Sequence, residues 1–123
     1  MLNIMIVDDS LIIRKTLTTQ LEKMGYNVVI AAKSGQEAVD LYPKYIPDLV
    51  TMDITMPLMN GIEALKKIKN NYKEAKIIMV TSHGEERLVM DAISNGAKGY
   101  ILKPITEEKL NNVILKIFPE LND

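Results

Sequence analysis

Five residues, Leu49-Val50-Thr51-Met52-Asp53, limit what this chain can fold into more than any other stretch. Mostly apolar residues run directly into a carboxylate, and Ile54-Thr55-Met56-Pro57 and Asn60-Gly61 follow. An apolar run this short reads as a strand buried on both faces. Pro57 and Asn60-Gly61 mark the loop beyond it. Asp53 then stands at the carboxyl end of a central strand, the edge of an open α/β sheet where ligands bind. Ile4-Met5-Ile6-Val7 ends in Asp8-Asp9-Ser10, Ile77-Ile78-Met79-Val80 ends in Thr81-Ser82, and Tyr100-Ile101-Leu102 ends in Lys103-Pro104. Three carboxylates, a hydroxyl and an amine are thus delivered to one rim.

Helical periodicity fills the gaps between these runs. After a first strand at Asn3–Val7, Ser10 caps a helix with Ile12, Ile13, Leu17, Leu21 and Met24 inward, and Gly25 stops it. A short strand covers 28–31. Ser34, with Glu37 at the capping-box position, starts a helix over about 36–42. Asn60 or Gly61 opens a third helix carrying Ile62, Leu65 and Ile68. A helix over about 85–95 turns Leu88, Val89, Ala92 and Ile93 inward, and Gly96 ends it. Gly99–Leu102 is the last strand. Thr106 caps a final helix with the stripe Leu110, Val113, Ile114 and Ile117. Strands that alternate with helices run parallel and cross over right-handedly. The expected fold is a three-layer α/β sandwich.

The chain has 123 residues, enough for one domain with one core, and 47% of them are hydrophobic. It has no cysteine, which excludes disulfides and thiolate metal sites and agrees with a cytoplasmic location. Met1 leads straight into the first strand, so no signal peptide is expected, and no apolar run approaches a membrane span. A net charge of -1 is the wrong balance for a nucleic-acid-binding domain.

A lone carboxylate after a strand is usually a cap or loop residue. The adjacent pair Asp8 and Asp9, with Asp53 after another strand, is harder to dismiss, because three carboxylates on one rim repel one another and call for a cation. The donors are all hard oxygens, which suits Mg²⁺ or Mn²⁺ and not zinc. Lys103 could be a solvated loop lysine, and Thr81 a cap for the next helix. Together with the carboxylates, they describe a site for a phosphoryl group, whose oxygens an ammonium, a metal and a hydroxyl stabilise. Neither usual glycine-rich phosphate loop occurs in the sequence.

The motifs Val7-Asp8-Asp9-Ser10, Met52-Asp53-Ile54-Thr55-Met56-Pro57, Asn60-Gly61, Thr81-Ser82, Gly96-Ala97 and Lys103-Pro104 occur here in one order. In that order they resemble the bacterial response-regulator receiver domain, over the whole length 1–123. The resemblance implies a flavodoxin-like sheet in the order 2-1-3-4-5. It also implies that Asp53 accepts a phosphoryl group from a histidine kinase, in a switch that catalyses only its own phosphorylation and dephosphorylation. By the same resemblance Asp8, Asp9, Asp53 and the Thr55 carbonyl hold Mg²⁺. Thr81 donates to the phosphoryl group, Lys103 pairs with Asp53, and the peptide before Pro104 is cis. Tyr100 matches an aromatic whose ring turns inward on activation; on its own it reads as a half-buried edge-strand tyrosine. Thr55 and His83 fall at variable positions that adjust phosphoryl lifetime. Thr55 departs from the asparagine common in chemotaxis members, and Ser82 from an alanine. As the one histidine, His83 could also be read as a metal ligand, against the all-oxygen character of the site.

The resemblance points to stand-alone chemotaxis receivers. It implies a monomer whose partners are a chemotaxis-type sensor kinase, a flagellar motor switch protein and a phosphatase, with no nucleic acid and no membrane. It carries the output surface onto 85–118, where Met90, Ile105 and Leu115 fall near Tyr100. A phosphorelay intermediate and the receiver of a transcription regulator are alternatives, the latter disfavoured by the lack of an appended domain. An aspartyl phosphatase needs a second acid near Asp53, where Thr55 stands instead.

Overall fold

The computed structural model describes residues 1–122. The elements run β1 (Asn3–Val7), α1 (Leu11–Lys23), β2 (Asn27–Ala32), α2 (Gly35–Tyr45), β3 (Leu49–Asp53), α3 (Gly61–Asn71), β4 (Ile77–Thr81), α4 (Glu86–Ser94), β5 (Gly99–Leu102) and α5 (Glu107–Ile117), followed by a 3₁₀ turn, Pro119–Asn122. The strands pair in parallel in the order β2-β1-β3-β4-β5.

Alternation along the strands creates two cores. Met5, Val7, Val50, Met52, Ile77 and Met79 face a layer that includes Ala38, Tyr42, Leu65, Ile68, Val89 and Ala92 from α2, α3 and α4. Ile4, Ile6, Leu49, Ile78 and Ile101 face Leu17, Leu21, Leu110 and Ile114 from α1 and α5. Both faces of the inner strands are therefore dry, which is why their sequences read as continuous apolar runs.

The register lines up the polar strand ends. Val7 lies opposite Met52, Asp53 opposite Val80, and Thr81 opposite Leu102. Asp8, Asp53, Thr81 and Lys103 thus leave the sheet side by side at its carboxyl edge.

Several boundaries and faces differ from expectation. β2 is longer than 28–31, and α4 begins at Glu86. α2 runs past position 42 and through Pro43 to Tyr45, then closes on Ile46 at φ 39°, whose N–H donates to the Tyr42 carbonyl. A proline in a last turn removes a bond near the frayed end, so the helix survives it. Ile12, expected to face inward, is 75% exposed: the first turn of α1 overhangs the carboxyl edge, past the apolar surface of the sheet. On α4 only Val89 and Ala92 are buried, while Leu88 and Ile93 are 40% and 41% exposed. β5 is a four-residue edge strand, and the sheet accepts a single i, i+3 ridge there. Ile105 and Leu115 are half-buried, Ile105 against the α1/α5 core.

Candidate functional site

Asp8 is set by the start of α1. Ser10 caps that helix by accepting from the Ile13 N–H at 3.3 Å, and the Ser10 N–H donates to Asp8 Oδ1 at 2.8 Å. Arg14 Nη1 donates to the Asp8 carbonyl, also at 2.8 Å. The carboxylate therefore enters the site already oriented.

Asp53 is set by the approach of α3. The Gly61 N–H donates to the Ile54 carbonyl at 2.7 Å, and a β-carbon at position 61 would lie 2.0 Å from the Asp53 carbonyl oxygen. Only glycine permits this contact. A capping box completes the turn: Asn60 accepts from the Glu63 N–H, and Glu63 accepts from the Asn60 N–H.

Lys103 bridges the carboxylates, with Nζ 3.4 Å from Asp8 Oδ2 and 3.4 Å from Asp53 Oδ1. Its loop is tied down from two helices. Lys109 Nζ donates to the carbonyls of Leu102 and Pro104, and Gln20 Nε2 donates to the carbonyl of Ile105. The Lys103–Pro104 peptide is cis.

Oxygens of Asp8, Asp9 and Asp53 lie within 4.8 Å of one another. Asp8 and Asp53 are buried and Asp9 is exposed, so the cluster opens to solvent on one side. Burial, then the Asp8 carboxylate, push Asp53 up to about 7 against the pull of Lys103; Asp9 adds to the rise. Burial alone would lower the Lys103 ammonium, but Asp53 and Asp8 outweigh it and hold its pKa above the ordinary value. One ammonium thus leaves the three carboxylates short of positive charge. An all-oxygen cluster open on one side can coordinate a hard divalent cation.

Thr81 is buried at the end of β4, and its hydroxyl donates to Glu85 Oε1 at 2.8 Å. It does not cap α4, whose N-cap is Glu85. Thr55 and His83 are exposed, on the loops after β3 and β4. Tyr100 is 52% exposed. It lines a groove of about 260 Å³ with Thr81, Val89, Met90, Ile93 and Leu102.

Sequence reasoning passed over Glu85. Its carboxylate accepts from the Thr81 hydroxyl, from the Ser82 N–H at 2.6 Å and from the Thr55 hydroxyl. Burial would raise its pKa, but these donors, with Lys103, hold it below the usual carboxylate value. The available signal was Ser82-x-x-Glu85, a capping-box pattern. Arg14, Gln20 and Lys109 carried no such signal, because each donates to a backbone carbonyl and no short residue pattern encodes such a bond.

The chain belongs to the response regulator receiver domain family, whose model matches residues 4–115. It is similar to the chemotaxis protein CheY of Bacillus subtilis, at 46% identity over 113 residues, 92% of this chain and 94% of that protein. It is also similar to CheY of Thermotoga maritima, at 42% identity over 114 residues, 93% of this chain and 95% of that protein. Its fold matches a chain in the crystal structure of the CheX–CheY–BeF₃–Mg²⁺ complex from Borrelia burgdorferi with a TM-score of 0.90 and 39% identity, covering 95% of this chain and 89% of that one. The chain is a phosphoacceptor receiver. No helix among the described residues is long and apolar enough to cross a membrane.

Proposed function

We propose that residues 1–123 form one receiver unit that takes a phosphoryl group from a histidine kinase onto Asp53. The observation that carries this reading is the placement of Asp53 against Asp8, Asp9 and Lys103 at the carboxyl edge of the sheet. An Asp53 carboxylate oxygen attacks the phosphorus of a phosphohistidine. An O–P bond forms as the P–N bond breaks, and its electron pair returns to the imidazole. Lys103 lies where it can follow the negative charge from the carboxylate to the phosphoryl oxygens. The Thr81 hydroxyl turns from its present acceptor to a phosphoryl oxygen.

Asp8, Asp9, Asp53 and the carbonyl of Thr55 would hold Mg²⁺, or Mn²⁺ in its place. A bound Mg²⁺ neutralises charge on the carboxylates and on the incoming phosphoryl group. Thr55 and His83 stand on the two loops that flank Asp53 and Thr81, so their side chains set how readily water reaches the acyl phosphate. Tyr100 lies in one groove with Thr81 and reports the movement of that residue at the surface.

The relatives favour chemotaxis: a chemotaxis-type sensor kinase as donor, and a cytoplasmic, monomeric receiver whose partners are a phosphatase and a flagellar motor switch protein. A phosphorelay role is favoured by one observation. Leu11 and Ile12, at the rim beside Asp8, are 55% and 75% exposed, an apolar step on which a phosphohistidine-bearing helix could rest.

The test uses acetyl phosphate and Mg²⁺ with intact-mass detection. The expected result is a single labile phosphoryl adduct that is absent in Asp53→Asn. An undiminished adduct in that variant would place the acceptor elsewhere.

A further inference from the structure

Two donors at the end of β4, the Thr81 hydroxyl and the Ser82 N–H, converge on one oxygen. That oxygen is Glu85 Oε1, 2.8 Å from the first and 2.6 Å from the second. A hydroxyl and an amide aimed at one anionic oxygen form an oxyanion site. Here the site is filled from within the chain. The second carboxylate oxygen, Oε2, accepts from the Thr55 hydroxyl on the opposite loop. Glu85 therefore spans from the loop after β3 to the end of β4, across the mouth beside Asp53, and it lies within the field of Lys103.

A half-formed capping box would be the ordinary explanation for the Ser82–Glu85 bond. It does not account for the geometry. α4 starts at Glu86, so Glu85 is the N-cap and not the third helical residue, and no side chain caps that end. Nor does a capping box require the bonds to Thr81 and Thr55.

We propose that Glu85 is an internal anionic latch: its carboxylate occupies the donors that the phosphoryl group on Asp53 must use, and it is displaced when that group arrives. The proposal rests on Asp53 being the acceptor and Thr81 its hydroxyl donor. Glu85 is a positioning residue. In the resting chain it holds the Thr81 hydroxyl toward α4 and joins the loops after β3 and β4. Displacement frees Thr81 to turn toward Asp53 and releases the N-cap of α4 from the end of β4. Glu86, the next residue, lines the groove shared with Met90 and Tyr100, so the latch ties this groove to the phosphoryl site. The latch also sets a threshold, since any phosphoryl group must compete with a tethered carboxylate for the same two donors.

The test is beryllofluoride binding in the presence of Mg²⁺, with the rate of phosphorylation by acetyl phosphate as a second reading. Glu85→Ala should bind beryllofluoride about tenfold tighter than wild type, as expected when an acceptor competing for charge-assisted hydrogen bonds is removed. It should also be phosphorylated faster. Glu86→Gln, one residue away, removes the same charge without touching the donors and should leave both readings unchanged. A merely structural role predicts the opposite sign, weaker binding as the amino end of α4 loosens. Binding by Glu85→Ala equal to or weaker than wild type would overturn the latch, as would equal tightening in Glu86→Gln. If wild type binds beryllofluoride and gives the Asp53 adduct, either of those results condemns the latch alone. If wild type does neither, the acceptor assignment falls and the latch with it.

Discussion

Burial, then the Asp8 carboxylate, push the Asp53 carboxyl up to about 7 in the folded chain, against about 3.9 for an unfolded aspartate. Between those values the folded state binds more protons than the unfolded one, so stability falls as pH rises through the window. The contribution of the neutral form is complete below about pH 4 and gone above about pH 7. Asparagine cannot ionise and escapes this loss. In EDTA, Asp53→Asn should exceed wild type in stability at pH 8 by on the order of 2–4 kcal/mol, with a smaller gap at pH 5. Urea midpoints at the two pH values check this, and a gap independent of pH contradicts it. Asp8, Asp9, Asp53, Thr81 and Lys103 were legible in the sequence because each ends or directly follows an apolar run, and a strand end is a fixed address in an open sheet. Glu85 was not, because its bond to Thr55 joins residues thirty positions apart and depends on how two loops fold toward each other.

At the scale of elements, helix starts were written more plainly than helix ends. Ser10, Ser34, Asn60 and Thr106 each accept from an N–H three residues on, a local bond that a four-residue pattern encodes. α2 runs past 42 because a proline in a last turn removes only a bond near the frayed end, and periodicity marked the apolar sides of α1 and α4 without showing how much sheet lies beneath them. Gly61 shows the same limit. The sequence places it at the start of α3, but only the packing shows that α3 abuts the Asp53 carbonyl. Gly61→Ala should destabilise the fold by about 3 kcal/mol through overpacking against backbone that cannot yield. Its urea midpoint would show this, and a wild-type midpoint would mean that the loop after β3 can move aside.

For the molecule as a whole, strand order did not follow from periodicity. Parallel strands joined by helices can be wound in several orders, and it was the family resemblance that pointed to 2-1-3-4-5, the order observed. That order concentrates negative charge from β1 and β3 at the centre of the sheet. A divalent cation bound there by the native state alone stabilises the whole fold by mass action. At a hundredfold excess of Mg²⁺ over its Kd the gain is about 2.7 kcal/mol. Urea melts of wild type with Mg²⁺ and with EDTA should separate accordingly, and those of Asp9→Asn should nearly coincide. A wild-type midpoint that Mg²⁺ does not move excludes a folded-state metal site.

The bridging ammonium has a further consequence. Asp8 directly follows the first strand to be synthesised, and Lys103 the last. A partly made or partly unfolded chain can display its carboxylates, but it lacks the cation that balances them until the edge strand has docked. Competence to receive a signal thus requires that the last strand be made and docked. The message is withheld from any copy that is not whole.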